Sequence, residues 1–153
     1  MVYYLDTSAL VKRYAREAGS AWVLDLCDAS ASHVIVVGLI TKAELVAGLA
    51  AKQRSGTLPI AEFEAVERDI ANDFLQQYQV VMVDRGTIDL AADLAKRCKL
   101  RGYDAVQLAC ALTLNSWLAA LEVPALTFVT ADRLLAQAAT DEGLPIENPN
   151  LHT

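Results

Sequence analysis

The amino-acid sequence predicts an α/β protein: a three-layer α/β/α sandwich around a central, mostly parallel sheet. Three observations carry this. Short apolar runs rich in Val, Ile, Tyr and Phe occur at residues 2–5, 34–37, 80–83 and 126–129, and continuous runs of this kind suit strands covered on both faces. Helix-like segments separate them, and alternation of strand and helix implies a parallel sheet with right-handed crossovers. Acidic residues stand at the ends of two runs. Asp6 closes Val2-Tyr3-Tyr4-Leu5, and Asp132 follows Leu126-Thr127-Phe128-Val129-Thr130. Open α/β sheets bind ligands beyond the carboxyl ends of their strands.

The helical segments follow in order. The first covers about 8–18, and the next follows Gly19-Ser20, where Ser20 suits an N-cap. A third covers about 40–54 and ends near Gly56. Pro59 suits the first position of a fourth, which reaches about 77. No strand signal lies between these two, so they are expected to form a hairpin at about 40–77 that projects from the sandwich. Its charged residues Glu62, Glu64, Glu67, Arg68, Asp69 and Asp73 read as a solvated face. Thr87–Leu100 forms a further helix stopped by Gly102, then come 104–121 and 132–142, the last stopped by Gly143. There are no internal repeats or linkers, so residues 1–153 are expected to form one domain.

Composition narrows the function. The net charge of −6 argues against a protein that holds nucleic acid by bulk electrostatics, though not against a nuclease whose metal ions supply positive charge. One local basic cluster, Lys96, Arg97, Lys99 and Arg101, lies just before Asp104. It reads either as a solvated helix end or as a patch that steers phosphate. Cys27, Cys98 and Cys110 form no CxxC or Cys/His pattern and read as reduced core thiols. His33 and His152 lack metal-ligand spacing, which argues against zinc. The apolar stretch 103–121 is interrupted by Asp104, Gln107, Asn115 and Ser116 and reads as a buried helix rather than a membrane span. The N-terminus lacks a basic region followed by an apolar one, so a cytoplasmic protein is expected.

Asp6, Glu44, Asp104 and Asp132 are the candidate site residues. Alone, Asp6, Asp104 and Asp132 could serve as N-caps. Glu44 differs, because its helical neighbours Ile40, Thr41, Ala47 and Gly48 are small or apolar, and such a face does not merely solvate a charge. Gly48 weakens a helix, so its presence suggests close approach of backbone or ligand. The fold would bring all four acids to one sheet edge. Like charges about 4 Å apart repel by about 4 kcal/mol at an effective dielectric near 20, so such a cluster needs a cation or a shared proton. Carboxylate oxygens match hard ions such as Mg²⁺ or Mn²⁺.

These residues lie in stretches that resemble the motifs of PIN domains. Val2-Tyr3-Tyr4-Leu5-Asp6-Thr7-Ser8-Ala9-Leu10-Val11-Lys12 looks like the opening motif and Lys42-Ala43-Glu44-Leu45 like the second. Arg101-Gly102-Tyr103-Asp104-Ala105-Val106-Gln107-Leu108-Ala109 looks like the third, and Phe128-Val129-Thr130-Ala131-Asp132-Arg133-Leu134-Leu135 like the fourth. Among PIN domains the chain is most similar to VapC-type toxins of toxin–antitoxin systems. The Asp104–Asp132 interval is longer than in a compact member, and the extra length around residues 115–121 is expected to extend a helix.

The resemblance implies a Mg²⁺- or Mn²⁺-dependent endoribonuclease acting on single-stranded RNA. It gives Asp6, Glu44, Asp104 and Asp132 metal-site roles, with Thr7, Ser8 and Thr130 as supporting polar groups. It also implies a cognate antitoxin and a homodimer. Two other classes stay open: a PIN-fold RNA-binding or interaction module without catalysis, and a Mg²⁺-dependent small-molecule phosphatase. A metal-free route through the RNA 2′-hydroxyl calls for a general acid and base, and His33 and His152 offer no such pair. The apolar residues Leu10, Val11, Tyr14 and Trp22 read as core, with part of them a candidate docking groove for the partner.

Overall fold

The computed structural model describes residues 1–152. Five parallel strands, β1 (Val2–Leu5), β2 (Val34–Gly38), β3 (Gln79–Val81), β4 (Thr127–Val129) and β5 (Ile146–Glu147), form one sheet in the order β3-β2-β1-β4-β5. The chain winds outward from β1 through β2 to β3, then returns to place β4 on the other side of β1. The direction of winding reverses there, so the carboxyl ends of β1 and β4 flank the topological switch point. Tyr4 pairs with both Val36 and Phe128, and Leu5 pairs with Val129.

Alternation along the strands divides the core in two. Tyr4, Val36 and Phe128 point to one face, where α5 (Arg85–Cys98), α6 (Gly102–Ala120) and α7 (Arg133–Asp141) supply Leu94, Leu108 and Leu135. Leu5, Ile35, Val37 and Val129 point to the other. There α1 (Thr7–Tyr14), α2 (Ser20–Leu26), α3 (Leu39–Arg54) and α4 (Ile60–Gln76) supply Leu10, Val23, Leu45, Leu49 and Ile70. Reversing the winding while keeping right-handed crossovers moves the later helices to the opposite face.

Several local expectations are corrected. β5 is two residues long and carries too little pattern to be read from sequence. Helix α1 stops at Tyr14 rather than near residue 18. Ser20 is not the cap of α2: Gly19 holds that position with φ 81°, and Ser20 Oγ instead accepts from Glu17 N and donates to Ala15 O. A Cβ on Gly19 would come within 2.1 Å of the Pro149 carbonyl oxygen, so the close return of the C-terminal segment also demands glycine. Pro59 precedes α4 as its cap residue. Helix α5 is ended by Lys99 in a left-handed conformation (φ 56°), and Gly102 opens α6 rather than stopping α5.

The helix pair α3–α4 forms with no strand between its members, and Leu45, Leu49 and Ile70 anchor it in the core. Asp73 is not solvated. Its Oδ2 accepts from Tyr14 over 2.7 Å and pairs with Arg13 at 3.1 Å, tying α4 to α1. The extra length before β4 is helical, since α6 runs to Ala120. Among the described residues no helix is long and apolar enough to cross a membrane. The three cysteines are free, with Cys27 and Cys110 buried.

Candidate functional site

The crevice at the switch point is built from strand ends and helix starts. Asp6 continues the sheet, its N–H donating to Val129 O over 3.1 Å. It is also the N-cap of α1, with Oδ1 accepting from Ala9 N at 2.9 Å. Ser8 Oγ adds a hydrogen bond to Oδ1 at 2.8 Å, and Thr130 Oγ1 donates to Oδ2 at 2.8 Å. The side chain is buried. Burial pushes the Asp6 carboxyl up to about 7 from an ordinary 3.8, against the opposing hydrogen bonds from Thr130, Ala9 and Ser8, and the charge of Asp104 pushes the same way as burial.

Asp132 caps α7, with Oδ1 accepting from Leu135 N at 2.9 Å, and its own N–H donates to Thr130 Oγ1 at 3.1 Å. Thr130 therefore links the Asp6 carboxylate to the backbone of Asp132. Asp104 caps nothing; it sits in the first turn of α6, whose cap position is Arg101. Its carboxyl is raised above the ordinary value, first by burial, then by the charges of Asp132 and Glu44, while Arg101 opposes the rise. Glu44 lies in α3 and takes hydrogen bonds on Oε2 from Thr7 Oγ1 and, at 2.8 Å, from Gln107 Nε2.

All four acids line one crevice of about 270 Å³, together with Thr7, Ser8, Val11, Leu45, Gly48 and Gln107. The capping and crevice readings of Asp6 and Asp132 thus hold at once. Gly48 borders this space, but a Cβ there would meet nothing within 4 Å, so close backbone approach does not explain it. Of the apolar residues considered for docking, Leu10 is core, Tyr14 bonds Asp73, and Trp22 stacks on His152 with centroids 4.2 Å apart. Only Val11 faces the crevice.

The basic cluster separates. Arg97 bonds Asp93 at 2.8 Å and Glu142 through both terminal nitrogens, on the solvent side of α5. Lys96, Lys99 and Arg101 are exposed, and Arg101 acts electrostatically on Asp104.

Sequence reasoning missed a polar network beneath Glu44. Gln107 is 2% exposed. Its Oε1 accepts from Tyr4 OH at 2.9 Å, and its Nε2 reaches Thr41 Oγ1 at 2.9 Å and Thr7 Oγ1 at 3.1 Å as well as Glu44. A signal existed. Gln107 lies one helical turn after Asp104 and is the one polar residue between Ala105 and Leu112, and Thr41 lies one turn before Glu44.

A family model described as the PIN domain matches residues 3–140. The chain belongs to the PIN domain family. This PIN domain is 34% identical to "Ribonuclease VapC45" of Mycobacterium tuberculosis over 143 residues, covering 92% of this chain and 90% of the relative. The fold matches the crystal structure of FitAcB from Neisseria gonorrhoeae with a TM-score of 0.69 at 18% identity, covering 100% of both chains. It also matches a chain of a toxin–antitoxin complex from Klebsiella pneumoniae with a TM-score of 0.61 at 16% identity, covering 96% of this PIN domain and 97% of that chain.

The donor set of the crevice consists of carboxylates and hydroxyls, all hard oxygen ligands. Among the described residues, both oxygens of Asp104, Oε1 of Glu44 and Oδ2 of Asp132 have no hydrogen-bond partner. No three His, Cys, Asp or Glu side chains among the described residues stand close enough to hold one ion together as they are. The chemistry of the donors fits a hard divalent cation, around which the carboxylates would have to draw in.

Proposed function

We propose that this PIN domain is a Mg²⁺- or Mn²⁺-dependent endoribonuclease that hydrolyses single-stranded RNA, and that it is the toxin of a type II toxin–antitoxin pair. The observation that carries the reading is the meeting of Asp6, Glu44, Asp104 and Asp132 in one crevice at the switch point. The relative named as a ribonuclease supports the activity, and the matching toxin–antitoxin complex supports the partner.

Asp6 and Asp104 are assigned as direct holders of the metal, Glu44 as holder or as the group that orients the attacking water, and Asp132 as a holder directly or through water. A divalent ion bound there supplies a positive charge for the phosphate and the leaving 3′-oxygen, and makes hydroxide available near neutral pH. The chain's own groups do the rest. Thr7 holds Glu44 Oε2, leaving Oε1 free to accept a proton from water. Ser8 and Thr130 fix the Asp6 carboxylate. Arg101, beside Asp104, and Lys99 draw the RNA backbone toward a chain whose net charge is −6. The products are a 5′-phosphate and a 3′-hydroxyl.

The partner reading is electrostatic. An acidic crevice attracts an Arg side chain, whose planar fork matches a carboxylate at two points. An antitoxin carrying such an Arg would engage the groups that hold the metal. A homodimer belongs to the same reading.

The test is cleavage of labelled single-stranded RNA with Mg²⁺ or Mn²⁺, with and without excess chelator. The expected result is metal-dependent cleavage leaving 5′-phosphate ends. Cyclic phosphate ends would point to attack by the 2′-hydroxyl. RNA binding without cleavage would favour a binding module, and turnover of a small phosphoester alone would favour a phosphatase.

A further inference from the structure

We propose that Gln107 is a positioning residue for Glu44: its amide holds Oε2 of the carboxylate so that Oε1 stays presented to the crevice. The inference rests on the nuclease reading and adds a residue to its machinery.

Gln107 stands on α6 among Leu108, Ala109, Cys110 and Ala111, all fully buried, where an apolar side chain would pack without needing partners. A buried amide is tolerated only when its hydrogen-bonding groups are met. Those of Gln107 are met entirely by side chains of other elements. Its carbonyl faces Tyr4 of β1, and its nitrogen faces Thr7 of α1 and Thr41 and Glu44 of α3.

The orientation of the amide is determined rather than arbitrary. An amide could be turned end for end, and Glu44 decides the matter. A carboxylate only accepts, so Nε2, the donor end, faces it at 2.8 Å, and Oε1 takes the Tyr4 hydroxyl at 2.9 Å. Bonds from a neutral donor to a carboxylate oxygen are among the stronger ones. The two donors on Oε2, Gln107 and Thr7, come from different helices, so the carboxylate is held from two sides.

The surroundings are shaped to this amide. A Cβ on Gly38, just before α3, would lie 2.7 Å from Tyr4 OH and 3.3 Å from Gln107 Oε1. Glycine there leaves room for the Tyr4–Gln107 bond. Side chains of β1, α1 and α3 therefore converge on one amide whose terminal contact is a crevice carboxylate.

The experiment compares wild type, Gln107→Met and Tyr4→Phe. Methionine keeps length and apolar bulk but donates nothing. Tyr4→Phe keeps Gln107 but leaves its Oε1 without a donor. Each protein is checked for its folded fraction by circular dichroism and thermal melting. Two quantities are then read: steady-state cleavage of a short single-stranded RNA, and Mn²⁺ binding by calorimetry without RNA.

Loss of a residue that orients a ligand typically costs about 10–100-fold in activity or metal affinity. The expected result for Gln107→Met is a fall in kcat in that range, KM for RNA within about threefold of wild type, and weaker Mn²⁺ binding. Tyr4→Phe should shift both quantities in the same direction by less. The double variant should be no worse than Gln107→Met alone, because both act through one bond chain. Unchanged kcat and Mn²⁺ affinity in folded Gln107→Met would overturn the proposal, as would losses that merely track the unfolded fraction. Wild-type protein that binds Mn²⁺ but cleaves no RNA would count against the nuclease reading instead, while the Mn²⁺ titration would still decide the role of Gln107.

Discussion

Thr130, at the end of β4, donates its hydroxyl to Asp6 Oδ2, at the end of β1, over 2.8 Å in the buried floor of the crevice. Thr130 Oγ1 in turn accepts from the N–H of Asp132 at 3.1 Å. One hydroxyl thus joins two strand ends and two helix caps. Thr130→Val preserves shape and removes the donor. A hydrogen bond to a charged group contributes roughly 1.5–3 kcal/mol, and urea denaturation above pH 8 should show a loss of that order. An unchanged midpoint would mean that Ser8 and Ala9 satisfy Asp6 without Thr130.

Asp6 should make the metal-free protein less stable as pH rises. Its folded-state pKa, about 7, exceeds the ordinary 3.8, so the folded protein binds the extra proton more tightly between those values. Stability from this group is greatest below about 3.8 and declines as pH rises through 7. Asp6→Asn removes the buried charge. In divalent-free buffer at pH 8 it should raise stability by roughly 2 kcal/mol, or several degrees in Tm, and the gain should shrink toward pH 4. The same variant should bind Mn²⁺ much more weakly. A gain equal at both pH values would place its cause elsewhere.

The two helix-associated glycines of α3 should behave oppositely. Gly38→Ala brings a Cβ to 2.7 Å from Tyr4 OH, so it should destabilise by about 1–3 kcal/mol, the usual cost of overpacking. Gly48→Ala meets nothing within 4 Å and should stabilise by about 0.5–1 kcal/mol through helix propensity. Chemical denaturation of the pair tests both signs.

Among the basic residues, Lys99 and Arg101 should matter for RNA and Arg97 should not, because Arg97 is already bonded to Asp93 and Glu142. The Lys99→Ala/Arg101→Ala variant should cleave RNA more slowly, with the deficit largest at low salt. Wild-type rates at low salt in this double variant would reduce the cluster to a solvated helix end.

Metal and antitoxin should compete. On the proposed reading an Arg-bearing partner and Mn²⁺ would draw on the same carboxylates, so raising Mn²⁺ in the wild-type cleavage assay should weaken inhibition. Inhibition that stays constant across a wide Mn²⁺ range would place the partner on a surface away from the crevice.

Much of this was legible in the chain. β1 to β4 announce themselves as β-rich apolar runs, and Asp6 and Asp132 stand at junctions where a parallel sheet opens a crevice. Glu44 betrayed itself as a charge on a small, apolar helix face. These are local signals, periodic over a few residues, and local signals survive in one dimension. What only the tertiary structure decided involves residues far apart in sequence. Glu44 is held by Gln107 and Thr7, Asp6 by Thr130, and Gln107 by Tyr4, pairs separated by 37 to 124 positions. The two-residue β5 exists because β4 offers it an edge, since two residues carry no period of their own. Lys99 takes the left-handed position that ends α5, where glycine is the usual signal, and Gly102 opens the next helix instead. Sequence period thus determined the layers and the edge on which the acids gather. Packing decided which buried polar groups satisfy one another, because a hydrogen bond depends on distance in space and not on spacing along the chain.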